Sequence, residues 1–393
     1  MNFERAERLK LLPPYVFVQI DNIKKQELAK GRRLLSLGVG DPDLPAPDFV
    51  VEKLREASLL SGVHQYPSYW GMIELRRAAA RWYERRFGVR LDPESEVLTL
   101  IGSKEGLAHV ALAYVNPGDA ALVPDPGYPV YGVGTLFAGG SAIRVALLEK
   151  NAYLPDFGEM EKQIAAAEGA GRRVRMLFLN YPNNPTGATA TVEFFSEVVR
   201  FARKHGLVVC HDNAYSEIYF DRKQQPSFLQ APGAREVGVE FHSLSKTFNM
   251  AGWRIGFAVG NPEIIKALAD IKTNIDSGVF NACQIAAAHA LDNFEPYCGQ
   301  LRGLIQERRD MLVPALHEAG FACSSPDASY YVWARVPSGE TSESCVMRLI
   351  MEKGVVAMPG SGFGRCGDGY VRFALCLETA RLAQAAKAIA GRP

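Results

Sequence analysis

Between residues 97 and 244 the chain alternates short apolar runs with longer helix-like segments, and this alternation limits the possible folds more than any other feature. The runs fall at 97–101, 120–123, 176–180, 207–211 and 241–244, with helical patterns at 107–115, 156–168 and 192–205 between them. Strands this short and continuously apolar belong to sheets covered on both faces. A repeated strand–helix–strand order closes most simply as a parallel sheet. We therefore expect an α/β protein with a mostly parallel sheet, and sites in such sheets lie beyond the carboxyl ends of the strands.

The residues that follow those strands carry chemistry. The first run leads into Gly102-Ser103-Lys104-Glu105-Gly106, where unbonded N–H groups at a helix start form an anion site. The run at 176–180 leads into Tyr181-Pro182-Asn183-Asn184-Pro185-Thr186-Gly187, which alone reads as turn chemistry. The next ends in Asp212-Asn213-Ala214-Tyr215, an acid that alone reads as a helix cap. Finally, the stretch EFHSLSKTFNMAGWRIGFAVGN (240–261) sets Lys246 among Ser243, Ser245 and Thr247 and turns at Ala251-Gly252 to present Arg254. A lone lysine at a strand end is ordinarily solvated. One flanked by hydroxyls, with an arginine eight residues on, has the pattern of an amine nucleophile beside an anion site. Independent structural explanations would all have to hold at once.

Bulk properties exclude other classes. In 393 residues, 44 Lys+Arg against 43 Asp+Glu leave a net charge of +1, no basis for attraction to nucleic acid or an anionic membrane. The start, MNFERAERLKLLPPY, lacks the apolar core of a signal peptide. No apolar run approaches the ~20 residues of a membrane span. Seven scattered cysteines without a C-x-x-C fit a reducing cytoplasm and no metal or disulfide framework. The run G-V-G-D-P-D at 38–43 is not a dinucleotide fingerprint, because no helix opens through Pro42.

After Pro262 the pattern turns helical (262–273, 281–293, 296–319), then α+β, with strands at 328–336, 355–358 and 370–375. We expect an N-terminal arm at 1–44, a large domain at 45–285 and a smaller α+β domain at 286–393 that the arm joins.

In chain order, LGVGDPD, QYPSYWG, GSKEG, PDPGYPVY, NYPNNPTG, HDNAYSEI, SLSKTFNMAGWRIG and Tyr370-Val371-Arg372-Phe373 together resemble the class I/II aminotransferases, fold-type I pyridoxal-phosphate enzymes with the aspartate aminotransferase fold. The likeness spans nearly the whole chain. It implies pyridoxal 5'-phosphate as cofactor, bonded as a Schiff base by Lys246, which also shuttles the proton. Asp212 would pair with the ring nitrogen, Asn184 and Tyr215 would bond the ring 3-oxygen, and Tyr128 would stack on the ring. Ser103, Lys104, Ser243 and Arg254 would hold the phosphate, with Ser245 a further candidate. Tyr66 would reach it from the partner subunit of a homodimer with shared active sites. Arg372 would take the substrate α-carboxylate, with Asn184 and the Gly40 backbone alongside. No metal, nucleic acid or membrane is implied.

Within the family, VGVEFHSLSKTFNMAGWRIGFAVGN, NPGDAALVPDPGYPVYGVGT and NIDSGVF are similar to the LL-diaminopimelate aminotransferases. That likeness implies ping-pong exchange, through pyridoxamine phosphate, between LL-2,6-diaminopimelate and 2-oxoglutarate, yielding tetrahydrodipicolinate and glutamate in lysine synthesis. Tyr15, Lys104, Glu105 and Asp276 are candidates for the distal end of such a substrate. Departures at Asn213, Ala251 and Asn281-Ala282-Cys283 keep an alanine, aspartate or aromatic aminotransferase as the alternative. A carbon–sulfur lyase on the same fold is a further one.

Overall fold

The computed structural model describes residues 3–12 and 16–392. In chain order its strands are β1 (Leu35–Ser36), β2 (Val97–Leu100), β3 (Ala120–Asp125), β4 (Ser141–Ala146), β5 (Val174–Asn180) and β6 (Val208–Asp212). They continue with β7 (Gly238–Ser243), β8 (Gly256–Gly260), β9 (Tyr331–Arg335), β10 (Val355–Val356), β11 (Met358–Pro359) and β12 (Tyr370–Ala374).

The large sheet has the order β2-β8-β7-β6-β5-β3-β4. Its pairs are parallel except those of β8, which runs against both β2 and β7. Between β7 and β8 lie only the short helix Leu244–Thr247 and one 3₁₀ turn, Ala251–Trp253. With no crossover helix, the chain can only double back.

Successive strand residues enter opposite cores, as the pleat requires. Leu177 and Val209 pack with helices Ile73–Phe87, Val192–His205 and Asn281–Asp292, whereas Phe178 and Cys210 pack with helices Ser103–Tyr114 and Pro262–Thr273. This two-sided burial is why the strands are apolar throughout.

A strand and a helix of the large layer stand out among the elements not expected from the sequence. Edge strand β4 is half-exposed along most of its length, so it carries no apolar run. Helix Val130–Phe137 holds two glycines and reads as a loop on propensity alone. Gly134 lies where a Cβ would come within 3.1 Å of the Ala108 backbone, so the glycine permits close packing on helix Ser103–Tyr114. That neighbour begins at Ser103, four residues before the expected start at 107, with Gly102 as its cap at φ 76°.

A second layer holds the antiparallel sheet β11-β12-β9, the parallel pair β1-β10 and helices Ser342–Arg348 and Thr379–Ala390. Its separate core includes Leu37, Leu312, Val332, Val371 and Leu382. Helix Glu295–Glu318 runs between the layers, with Cys298 in the large core and Leu301, Ile305 and Leu312 in the small one. The expected border at 285/286 falls inside helix Asn281–Asp292, whose Ala286 and Ala290 belong to the large core. Arg308 binds both Asp43 oxygens, at 2.7 and 2.8 Å, and thereby ties the loop after β1 to the second layer. Among the described residues no helix is long and apolar enough to cross a membrane.

Candidate active site

Parallel strands bring their carboxyl ends to one edge of the sheet, and the chain after β2, β3, β5, β6 and β7 meets there. The antiparallel β8 starts at that edge, which brings Arg254 to it as well. The second layer supplies Arg372 from β12 and the loop after β1. Between them is a cavity of about 530 Å³ lined by Gly40, Ser103, Lys104, Tyr128, Asn184, Asp212, Tyr215, Ser243, Ser245, Lys246, Arg254 and Arg372. Val39, Asp41, Ala214, Ala251, Gly252 and Tyr331 complete the wall. Tyr66 does not line it, being 89% exposed on a surface loop. Tyr15 lies outside the described residues.

One end of the cavity is built for an anion. Ser103 and Lys104 open the 12-residue helix Ser103–Tyr114, whose first N–H groups and dipole favour negative charge. Arg254 adopts φ 56° and is held by the carbonyls of Ala251 (2.8 Å) and Ile101 (3.3 Å). A Cβ at Gly102 would lie 2.5 Å from Arg254 Nη2, so glycine is what lets the guanidinium cover the helix start. Ser243 and Ser245 add hydroxyls to the same wall.

Lys246 stands on the short helix Leu244–Thr247, and its Nζ donates to Gly40 O at 2.5 Å. Asp212, only 5% exposed, accepts from Tyr131 Oη at 2.9 Å through Oδ2. Its buried Oδ1 makes no hydrogen bond among the described residues. Burial pushes the Asp212 carboxyl up to about 6, against the opposing pull of the Tyr131 hydroxyl. A buried carboxylate with an unbonded oxygen is costly unless a cationic N–H meets it.

The second layer contributes a buried arginine to the cavity wall. Arg372 is buried, with Nη1 donating to Asn184 Oδ1 (2.8 Å) and Nη2 to Gly38 O (2.7 Å). Its guanidinium lies over the rings of Tyr331 and Phe363, at 4.2 and 4.6 Å. Tyr331 Oη in turn meets Tyr215 Oη at 3.0 Å. Gly40 lines the same cavity and its carbonyl accepts from Lys246, while the carbonyl two residues earlier, Gly38 O, accepts from Arg372. The β1 loop runs past both groups, and alternate carbonyls face different partners.

Sequence reasoning missed Tyr131 and Tyr331. Tyr131 stands three residues after Tyr128, about one helical turn on, and was hidden because the glycine-bearing helix was not recognised. Tyr331 gave no local signal beyond that of a strand residue. Two distal-end candidates also proved to be engaged elsewhere. Lys272, 1% exposed, binds Asp276 at 2.7 and 2.9 Å and lies 3.7 Å from Glu105. Glu105 also accepts from Ile101 N at 3.0 Å and lies 3.0 Å from His109 Nδ1. A buried ammonium needs such partners, and neither acid lines the cavity.

The strand-end cavity thus brings together an amine, a buried acid and two arginines. The chain belongs to the aminotransferase class I and II family, whose model matches residues 32–389, and it is an aminotransferase. It is 50% identical over 389 residues to the LL-diaminopimelate aminotransferase of Nitratidesulfovibrio vulgaris (strain DP4), covering 99% of both chains. With the LL-diaminopimelate aminotransferase of Syntrophobacter fumaroxidans it shares 51% over 385 residues, 98% of each chain. Among solved structures, substrate-bound BacF from Bacillus subtilis matches at TM-score 0.92 and 39% identity, over 100% of this chain and 98% of that one. An aspartate aminotransferase double mutant from Thermus thermophilus matches at 0.91 and 28%, over 99% and 100%.

Proposed function

We propose that the protein is a pyridoxal-5'-phosphate-dependent LL-diaminopimelate aminotransferase that exchanges an amino group between LL-2,6-diaminopimelate and 2-oxoglutarate. The cofactor reading is carried by Asp212 Oδ1, a buried carboxylate oxygen with no hydrogen bond among the described residues, on the same wall as Lys246. The substrate reading is supported by the end-to-end identity with relatives of that name.

The residues fit the cofactor. Arg254 over the Gly102-Ser103 helix start suits a phosphate dianion, and Asp212 suits a protonated ring nitrogen. When bound, the cofactor supplies a sink for the electrons left as the substrate α-carbon loses its proton. Asp212 would keep that sink effective by holding a proton on the ring nitrogen. A contact ion pair at an effective dielectric near 20 contributes roughly 4 kcal/mol, enough to raise the nitrogen's pKa by more than two. The Tyr131 hydroxyl donates to the acid and favours its ionised form.

Lys246 Nζ is the group that would hold the cofactor carbonyl, and as a free amine it would take the substrate α-proton and return it. Gly40 O orients the amine while it is unbonded. Asn184 and Tyr215 are assigned to the ring 3-oxygen, and Tyr128 to the ring face. Arg372 offers a planar two-pronged grip for the α-carboxylate, and the Tyr331 and Phe363 rings shield it from water.

The test is a single-turnover experiment on the holoenzyme. LL-diaminopimelate is expected to bleach the cofactor absorbance near ~400 nm, while alanine, aspartate and tyrosine leave it largely unchanged. Bleaching by one of the latter three and none by LL-diaminopimelate overturns the substrate and favours the alternative aminotransferases. Product formation without any need for an oxo-acid would indicate a lyase.

We infer further that the enzyme is a homodimer in which Tyr66 reaches the neighbouring site. Support comes from an exposed apolar surface around the turn that precedes Tyr66. Leu59 and Leu60 are exposed there, and the exposed Phe280 ring lies 6.0 Å from that of His64. Light scattering is expected to report a dimer, with Tyr66→Ala holding cofactor more weakly. A fully active monomer contradicts the arrangement.

A further inference from the structure

Asp212 shares the sheet face of Cys210 and meets Tyr131 there, whereas His211 emerges on the opposite face with Val209, against the Phe195 ring. On that face lies a group of buried polar side chains that the chemistry above does not use. Its centre is Glu240 on β7, 0% exposed. Oε2 accepts from His211 Nδ1 at 2.8 Å and from Phe228 N at 2.7 Å. Oε1 accepts from Asn213 Nδ2 at 2.9 Å and from the Tyr83 hydroxyl, and lies 2.8 Å from His242 Nε2. Burial alone would raise the Glu240 carboxyl, but the bonds to His211 and His242 outweigh it and hold the group well below the usual carboxylate range.

Two of these contacts lead to the cavity. Asn213 is the neighbour of Asp212, and its backbone N–H is bonded to Phe241 O at 2.9 Å. His211 accepts from Tyr181 N at 3.3 Å through Nε2, which leaves its proton on Nδ1, facing Glu240. Tyr181 adjoins Asn180, whose amide donates to Asp212 O at 2.8 Å and whose Oδ1 accepts from Asn184 N at 2.8 Å. Glu240 is thus bonded directly to the end of β6, which presents Asp212, and reaches the end of β5, which leads to Asn184, through His211 and Tyr181 N.

We propose that Glu240 is a positioning residue for amino transfer: by gripping Asn213 and His211 it sets the strand ends that hold Asp212 and Asn184 against the cofactor. The proposal rests on the role assigned to Asp212. Its chemistry requires a carboxylate, because the surrounding groups donate to it. A glutamine would turn an NH₂ toward donors at one oxygen position or the other. His211 cannot compensate by moving its proton, since an Nε2–H would then face the Tyr181 N–H.

The experiment compares Glu240→Gln and Asn213→Ala holoenzymes with wild type. The second variant cuts only the link beside Asp212 and keeps the proposal testable if the first fails to fold. Three quantities are read: melting temperature, cofactor retained after dialysis, and kcat against KM for the amino donor that bleaches the wild-type cofactor. Asn213→Ala is expected to melt close to wild type and to lose about tenfold in kcat, with KM within about twofold because Arg372 sits on β12. It is also expected to release cofactor faster, and Glu240→Gln to behave the same way but more severely. Wild-type kcat and retention in Asn213→Ala, or in a folded Glu240→Gln with only its melting temperature lowered, overturns the proposal. If Asp212→Asn is inactive while Asn213→Ala is fully active, only this inference fails. If Asp212→Asn is itself active, the reading of the whole site fails.

Discussion

Replacing Lys246 by alanine is expected to lower kcat by about 10⁴-fold or more, because both the covalent step and the proton transfer lose their group. The other lysine on the cavity wall cannot substitute. Lys104 stands in the first turn of its helix at the anion end, its ammonium 5.8 Å from the centre of the Tyr128 ring. Structure should survive, since Lys246 is half-buried and its side chain makes one hydrogen bond among the described residues, to Gly40 O. Loss of that bond costs roughly 0.5–1.5 kcal/mol. Borohydride reduction followed by peptide mass analysis reads the result directly. The wild-type holoenzyme should carry cofactor on the peptide containing Lys246, and the variant should carry none. Trapping on a different lysine with activity near wild type would remove Lys246 from the mechanism.

Asp212→Asn should separate activity from stability in opposite directions. Losing roughly 4 kcal/mol of ring-nitrogen stabilisation corresponds to about 10³-fold in rate. The cofactor-free protein should nevertheless gain stability at neutral pH. Burial raises the folded-state carboxyl from 3.8 to about 6. The contribution of the protonated acid is therefore full below pH 3.8 and is lost as the pH rises through about 6. Above that the folded chain carries a buried charge costing roughly 1–3 kcal/mol, which asparagine does not carry. Apo Asp212→Asn is expected to melt a few degrees above apo wild type at pH 8, with the gap closing toward pH 4. Near wild-type turnover would sink the catalytic assignment. A variant less stable at pH 8 would sink the account of the buried charge.

Much of the site was legible because residue type and backbone signal coincide at strand ends. The apolar runs marked β2, β3, β5, β6 and β7, and parallel pairing forces their carboxyl ends to one edge. Ser103, Asn184, Asp212, Ser243 and Lys246 therefore converge however the intervening helices pack. Arg254 followed for a related reason: the turn at 251–253 leaves β8 no course but back along its neighbour. Where those local signals were weak, the reading lost detail. Strand β4 lacked an apolar run because it is an edge, and the Val130–Phe137 helix was masked by glycines needed for contact with Ala108.

The chain alone thus determined the strand order of chemistry: which residue types stand at the end of which strand, and, through the family resemblance of those motifs, the aminotransferase reading. Only the tertiary structure decided who meets whom across long separations. Tyr131 reaches Asp212 from 81 residues away, Arg372 reaches Gly38 from 334, and Glu240 holds Asn213 from 27. It also decided that Glu105 and Asp276 bind Lys272 rather than face the cavity. The physical reason is that strand periodicity and turn chemistry are local, whereas a buried charge is satisfied by whatever donors packing brings within about 3 Å.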